Sequence, residues 1–136
     1  MASVEGTKGN TVKVTVVGVT DTIDYLKRKN GELLKAKDIA LAKAGAYVAN
    51  EVQMSIMGIR DEPKSVDTGK FANSISVKDA GDDVLIVYPK NVPYAIFLEE
   101  GTSKLAARKH FKNTEYRTKK KVRAITLKEI KEAINN

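Results

Sequence analysis

Two patterns of alternating hydrophobic and polar positions predict the strands of this chain. Residues 11–17 carry a valine at every second position, which is the period of a half-buried strand. Residues 74–78 alternate again, and the β-branched run 84–88 reads as a more deeply buried strand. The turn residues 79–83 join these two segments, so the sequence predicts a β-hairpin.

A helical period begins at Glu32 and ends at about Ile56. At 100° per residue the apolar positions fall on one narrow side, which predicts an amphipathic helix; they are Leu34, Leu41, Val48, Val52 and Ile56. Gly45 lies on the same side. Because glycine is unfavourable inside a helix, its presence there indicates close packing of the backbone against a neighbour.

Three further helical segments are predicted. Asp21 or Thr22 can cap a helical turn that ends at Lys29. Pro93 can begin a short helix through Glu100, with Gly101 closing it in the left-handed conformation. The last helix is expected from about Thr114, with Asn113 as its N-cap, to Ile134. One side of it is shared by Tyr116, Arg123, Leu127, Ile130 and Ile134.

The order of these elements predicts an α+β fold. A small antiparallel sheet, made of the N-terminal strand and the β-hairpin, is expected to pack against one long helix and a C-terminal helix. The 136 residues suit a single domain, 1–136, in which the polar residues 1–10 are expected to be flexible.

Composition narrows the class of protein. Cysteine is absent, so disulfides and thiolate metal sites are excluded. No apolar run reaches the roughly 18 residues of a membrane span, and the N-terminal residues lack the apolar segment of a secretory signal. We therefore expect synthesis in the cytoplasm and no membrane partner.

The positive charge is concentrated in the last quarter of the chain. Residues 104–136 have a net charge of +8, whereas residues 1–103 have −1. Such a block indicates contact with an anionic partner, which could be nucleic acid, a membrane surface or an acidic protein, or else a solvated helix face.

The sequence offers little catalytic chemistry. Its one histidine, His110, stands among basic residues, which are expected to lower its pKa and leave it neutral on the surface. The adjacent acids Asp82-Asp83, Glu99-Glu100 and Asp61-Glu62 are not expected to converge on one metal, and Asp82-Asp83 suits a turn better. No phosphate-binding loop, zinc-ligand spacing or nucleophile elbow is present. We expect no enzyme activity, no metal and no cofactor.

One alternative is a small basic nucleic-acid-binding protein. Phe111 and Tyr116 lie within the basic quarter and could stack on bases. A nuclease version would use His110 as general base. No recognised nucleic-acid-binding motif supports either version.

Two segments resemble the tail-completion, or head–tail joining (neck), family of long-tailed bacteriophages. The first is V-D-T-G-K-F-A-N-S-I at 66–75, and the second is V-P-Y-A-I-F-L-E-E-G-T-S-K at 92–104. Their order and their spacing across a hairpin match the family over about 32–134. The chain departs from the family at 110–112, where it has His-Phe-Lys instead of the frequent Pro-Phe-aliphatic. The motif residues, expected to be structural, are Val66, Asp67, Thr68, Gly69, Phe71, Ser74, Ile75, Tyr94, Ala95, Leu98, Glu99, Gly101 and Thr102.

The resemblance implies a structural virion protein at the head–tail neck or the top of the tail. Family members form a ring, commonly of six copies, through which double-stranded DNA passes without sequence-specific binding. The implied partners are further copies of the chain, portal or adaptor connector proteins, and tail terminator or tail tube proteins. A tail terminator or minor tail protein of the same fold is the alternative within the virus. The candidate surface for DNA or an acidic partner comprises Lys104, Arg108, Lys109, Lys112, Lys119, Lys120, Lys121 and Arg123.

Overall fold

Strands and helices follow one another in pairs along the described part of the chain. A computed structural model describes residues 3–5, 12–17, 31–65, 69–81 and 84–135. The elements are β1 Ser3–Glu5, β2 Val14–Val17, α1 Gly31–Ile56, α2 Lys70–Asn73, β3 Ile75–Gly81, β4 Val84–Pro89, α3 Ala95–Glu100 and α4 His110–Asn135. The helical turn expected at 21–29 and the Asp82-Asp83 turn lie outside the described residues.

The sheet has four antiparallel strands in the order β1-β2-β4-β3. Val14 pairs with Val87 across β2 and β4, and Val16 pairs with Leu85. Val14, Val16 and Val87 are completely buried and form the floor of the core. The predicted α+β fold, with its N-terminal strand and hairpin, is therefore confirmed. The edge strand β1 adds a fourth strand from the segment 1–10 that the sequence assigns to a flexible end.

Helix α1 packs on the sheet through the predicted side. Leu41, Val48, Val52 and Ile56 are all buried, while the side chain of Leu34 lies outside the described part. A Cβ at Gly45 would come within 2.9 Å of Leu85 Cδ1 on β4. The close approach predicted from this glycine is therefore present.

Helix α4 runs antiparallel to α1. Ser55, at the end of α1, contacts His110 at the start of α4, and Lys43 of α1 pairs with Glu129 near the end of α4. The contact between the two helices is the most extensive between any two described elements. Because α1 also packs on β2, β3 and β4 and α4 reaches β1 and β2, the two helices form one layer above the sheet.

The buried side of α4 is rich in threonine. It consists of Phe111, Thr114, Thr118, Val122 and Thr126. Thr118 and Thr126 donate hydrogen bonds to the carbonyls four residues earlier, at 2.7 and 2.9 Å, so their hydroxyls are satisfied inside the helix and their methyl groups can pack.

On the side of α4 where the sequence gathers large residues, Tyr116, Arg123 and Leu127 face solvent and Ile130 is half-buried, while the side chain of Ile134 lies outside the described part. Tyr116 is 65% exposed and Leu127 is 39% exposed. Because tyrosine and leucine are more hydrophobic than threonine, the sequence pattern assigns the wrong side of α4 to the core. No described helix is long and apolar enough to cross a membrane.

Candidate functional site

The first family motif forms a turn before β3. Gly69 has φ 82° and ψ −4°, the left-handed conformation that favours glycine. Phe71 is buried, Ile75 packs against the core, and the Ser74 hydroxyl donates to the Phe71 carbonyl at 2.6 Å. Val66, Asp67 and Thr68 lie outside the described residues, so their expected role in the turn stays a prediction.

The second motif buries different side chains from those expected. The sequence predicts that Tyr94, Phe97 and Leu98 anchor this segment, but Tyr94 and Phe97 are 41% and 55% exposed. Tyr94 only touches the edge of the Phe71 ring, with 6.1 Å between centroids, and Leu98 is half-buried. The buried members are Val92, Ala95 and Glu99. Ala95 and Glu99 are four residues apart and therefore lie on the same side of α3.

Gly101 and Thr102 fold the chain back on α3. Gly101 has φ 79° and ψ 176°, so the predicted left-handed helical cap is wrong. This conformation is accessible essentially to glycine alone. It brings the backbone of residues 105–107 against Gly101, and Thr102 Oγ1 accepts hydrogen bonds from the amides of Lys104 and Leu105 at 3.2 and 3.1 Å. The Gly-Thr pair therefore builds the loop that leads to α4.

Glu99 caps the N-terminus of α4 from the preceding helix. Its carboxylate accepts hydrogen bonds from the amides of Phe111 at 2.8 Å and Lys112 at 2.9 Å. Burial raises the pKa of this carboxyl, and the two amide bonds oppose that rise. Helix α4 thus begins at His110, four residues before the predicted start, and the predicted N-cap Asn113 is wrong because that residue lies in the first turn.

Replacing Glu99 by Ala is expected to lower the free energy of unfolding by about 2 kcal/mol, the upper end for loss of an N-cap, because one buried and one part-buried amide lose their acceptor. Chemical denaturation would measure this loss. Glu100→Ala is the matched control, since Glu100 is exposed and makes no described hydrogen bond to the helix, and it should change stability by less than about 0.5 kcal/mol. Equal losses in both variants would contradict the capping role.

His110 lies in the core and not on the surface. Its side chain is fully buried; Nδ1 is 2.8 Å from Ser55 Oγ and Nε2 is 2.6 Å from Ser65 Oγ. The Ser55 hydroxyl donates to Glu62 Oε1 at 2.5 Å, so it must accept from the Nδ1–H of His110. Nε2 then accepts from Ser65. The sequence places His110 in an exposed loop because it does not reveal that α4 begins there.

Glu62 is the centre of this buried network. Arg117 donates to both of its carboxylate oxygens, at 2.9 and 2.7 Å, and Asn113 adds a bond of 3.1 Å. Burial opposes ionisation of Glu62, but the bonds from Arg117, Ser55 and Asn113 outweigh it and lower the pKa to about 2. The network therefore ties the end of α1, the loop 57–65 and the first two turns of α4 together.

A second ion pair joins α1 to the loop that follows it. Arg60 donates to both oxygens of Glu51 at 2.7 and 2.9 Å, and the pKa of Glu51 is lowered, mainly by this hydrogen bonding. None of these partners is apparent from sequence spacing. One sequence pattern does indicate that α1 has a second buried side. The polar residues Glu51 and Ser55 lie beside the apolar residues Val48 and Val52.

The pKa of His110 gives a pH prediction with a definite sign. Burial lowers it from 6.5 to about 4; Glu62 opposes this change, and Arg108 and Arg117 add to it. Between pH 6.5 and 4 the unfolded chain binds the proton more tightly. The free energy of unfolding should therefore fall by about 3 kcal/mol as the pH drops through that window.

Proton NMR can measure this pKa directly, because the chain has a single histidine. The folded protein should show one imidazole signal that titrates near pH 4. In His110→Gln the loss of stability between pH 6.5 and 4 should disappear. An imidazole that titrates near 6.5 would contradict the buried placement.

The hydrogen-bond network around His110 and Glu62 has a structural role. Both nitrogens of His110 already bind protein hydroxyls, and the imidazole has no exposed surface. Phe111 is also fully buried. The structure therefore gives neither His110 nor Phe111 an exposed surface for a substrate or a base, whereas Tyr116 is 65% exposed. Among the described residues, no group of His, Asp and Glu is arranged to hold a metal ion.

Most of the candidate basic surface is exposed, but it is not one patch. Lys104, Lys109 and Lys112 lie around the start of α4, and Lys119, Lys120, Lys121 and Arg123 lie along it. Arg108 points inward, donating to the Lys64 carbonyl and to Ser65 Oγ at 2.8 Å each. At 100° per residue, Lys121 lies about 160° around the helix from Lys119.

The outer face of the sheet carries an open groove of about 330 Å³. Ile86 and Tyr88 of β4, Lys78 of β3, and Pro93 and Ile96 beside α3 contribute to its lining. The Lys78 ammonium lies 5.2 Å from the centre of the Tyr88 ring. The groove lining contains lysines but no acid and no histidine, so no acid–base pair converges there.

Comparison with known proteins identifies the family. Residues 20–101 match the model of a family described as "Bacteriophage HK97-gp10, putative tail-component". The match includes both motifs as far as Gly101 and ends before α4, earlier than the expected limit of residue 134. Comparisons with curated proteins and with solved structures found no significant match. Because the family model covers more than half of the chain, this protein belongs to the HK97-gp10-like family of bacteriophage tail components, which are parts of the virion.

Proposed function

We propose that this chain completes the neck or the top of the tail and joins the tail to the head. It would do so as a ring, of six copies by analogy with the resemblance at 66–104. The DNA channel would run through this ring. On one side the ring would contact portal or adaptor connector proteins, and on the other tail terminator or tail tube proteins.

The observation that supports this proposal concerns α4, the helix that follows the second family motif. One side of this helix packs inside the fold, and the opposite side is exposed. Glu99, Gly101 and Thr102 position the start of the helix, and its threonine-rich side packs on α1. The opposite side presents exposed cations, among them Lys112, Lys119 and Arg123. A protein whose function is assembly needs such a rigidly mounted external surface and no catalytic cavity.

Electron microscopy of particles made without this gene tests the joining role. Filled heads beside separate, complete tails are the expected result. Normal infectious particles would overturn the proposal. Tails of abnormal length would assign the chain to the tail-terminator alternative.

Binding to duplex DNA, measured against salt concentration, tests the alternative in which the cations serve nucleic acid. A channel protein should bind weakly, because tight contact would hinder passage of the genome. A dissociation constant of about 1 μM or tighter, with a steep salt dependence, would favour a nucleic-acid-binding protein instead.

A further inference from the structure

The groove on the outer face of the sheet combines two cations with apolar surface. Lys13, just before β2, and Lys78 of β3 both line it, and they lie on opposite sides of the central strand β4. Lys78 is directly opposite Ile86 in the β3–β4 pair. Pro93 and Ile96 add further apolar lining, and none of these three apolar side chains is fully buried. A ligand in the groove would therefore meet cations and apolar groups together.

Neither lysine pairs with a carboxylate of the described residues. Lys78 is exposed, and its ammonium lies 5.2 Å from the centre of the Tyr88 ring. Lys13 is half-buried and makes no hydrogen bond or ion pair within the described part of the chain. The described lining of the groove therefore carries two positive charges and no negative charge.

The acid next to Lys78 in the sequence does not neutralise the groove. Asp79 is opposite Leu85, and Leu85 faces α1, where a Cβ at Gly45 would touch it. Because successive side chains of a strand point to opposite faces, Asp79 lies on the helix side of the sheet and Lys78 on the groove side. The Asp79 carboxylate accepts a hydrogen bond from the Gly81 amide at 2.8 Å. The charge of the groove is therefore complementary to an acid that comes from outside the chain.

The shape and lining of the groove favour a protein segment over DNA or a free small molecule. A phosphate backbone would pair with the lysines and leave Ile86 uncovered, since phosphate contacts do not bury aliphatic side chains. A base could stack on Tyr88 only by displacing the Lys78 ammonium from its ring. The volume of about 330 Å³ is at the lower end of the range of about 300–1,000 Å³ for small-molecule sites, which enclose most of their ligand. An open groove suits a segment that its own protein holds in place and of which one side is covered.

We propose that this groove binds an extended acidic segment of another virion protein. An Asp or Glu side chain of the segment lies between Lys13 and Lys78. An apolar side chain two residues away covers Ile86 and Ile96, because side chains two residues apart in an extended chain point the same way. This inference rests on the proposed neck assembly and names the chemistry of one of its contacts.

A defined peptide tests this chemistry on the purified chain. The peptide acetyl-Leu-Ser-Asp-Ser-Leu-amide places an acid between two apolar side chains on one face, and methyl NMR follows its binding. The signals of Ile86 and Ile96 should shift as the peptide is added. The same peptide with Asn in place of Asp should bind about fivefold more weakly, the size expected for a partly exposed ion pair.

Two double variants show whether the lysines of the groove cause this difference. In Lys13→Gln with Lys78→Gln, the Asp and Asn peptides should bind equally. The matched control is Lys121→Gln with Lys128→Gln, which removes the same charge from exposed positions on α4, and it should keep the fivefold preference. Equal affinity for the two peptides in the unaltered chain would overturn the acidic occupant, as would the absence of any shift at about 10 mM peptide.

Crosslinking of whole particles identifies the occupant. A water-soluble carbodiimide joins ammonium and carboxylate groups that are in direct contact, and it should link Lys13 or Lys78 to an acid of a different virion protein, identified by mass spectrometry. Links only to acids of a second copy of this chain would overturn the assignment to another protein. Particles with normally joined heads and tails but no link from either lysine would overturn the groove contact and leave the joining role intact. If the two lysines react with an acetylating reagent only after nuclease treatment of opened particles, DNA covers the groove and the proposal is wrong.

Discussion

Replacing Glu62 by Gln is expected to lower the free energy of unfolding by about 3 kcal/mol, the lower end for breaking a buried ion pair. The Glu62 side chain is only 1% exposed and accepts bonds from Arg117, Ser55 and Asn113. Glutamine has nearly the same volume, but it removes the charge and turns one acceptor into a donor that faces other donors. The guanidinium of Arg117 would then be left without its counter-charge.

Glu51→Gln provides a matched control, because Glu51 also holds an arginine by two hydrogen bonds. Glu51 is the more exposed of the two carboxylates, with 11% of its side chain accessible against 1% for Glu62, so water can replace part of the lost interaction and the loss should be about 1 kcal/mol. Urea denaturation of the two variants would measure the difference. Similar losses would show that Glu62 is not the centre of the network.

Glu62 also determines how the free energy of unfolding falls at acidic pH. The folded pKa of Glu62 is about 2, below its ordinary value of 4.5. Its contribution is therefore complete above pH 4.5 and is lost as the pH falls toward 2. In the Glu62→Gln variant this acid limb should be shallower, whereas the loss between pH 6.5 and 4 belongs to His110 and should remain.

Gly101→Ala is expected to be the most damaging single-methyl change in the described residues. The added Cβ would lie 2.7 Å from both the Ala107 nitrogen and the Leu105 oxygen, and these backbone atoms cannot rotate away. The positive φ adds strain of about 1–3 kcal/mol. We expect a total loss of about 4 kcal/mol, because the loop 102–109 must move and carry the start of α4 away from Glu99.

The control variant Gly81→Ala separates the steric clash of the added Cβ from the strain of the positive φ. Gly81 has φ 81°, almost the same as Gly101, but its added Cβ would meet nothing within 4 Å. This control should lose only the strain, about 1 kcal/mol. Thermal or urea unfolding would measure both variants. If Gly101→Ala lost no more than Gly81→Ala, the close approach of residues 105–107 would not matter for stability.

Much of the fold could be predicted because its signals are local. The period of α1, the alternation of β2 and β3, and the β-branched run of β4 each depend on a few neighbouring residues. Gly45 even predicts a tertiary contact, because a glycine on the buried side of a helix lets another element approach the helix backbone closely. The family could also be predicted from local sequence, because each of the two motifs, at 66–75 and 92–104, is a continuous segment of the chain.

The tertiary structure alone decided which side of α4 is buried, where that helix begins and what His110 does. The buried side could not be read from hydrophobicity, because threonine becomes suitable for a core only when its hydroxyl bonds within the helix. The start of α4 depends on Glu99, which caps the helix across the loop 101–109. The place of His110 depends on Ser55 and Glu62, about fifty residues away in the chain. Local patterns predict the elements of this protein, whereas contacts between distant residues determine which surface remains for its partners.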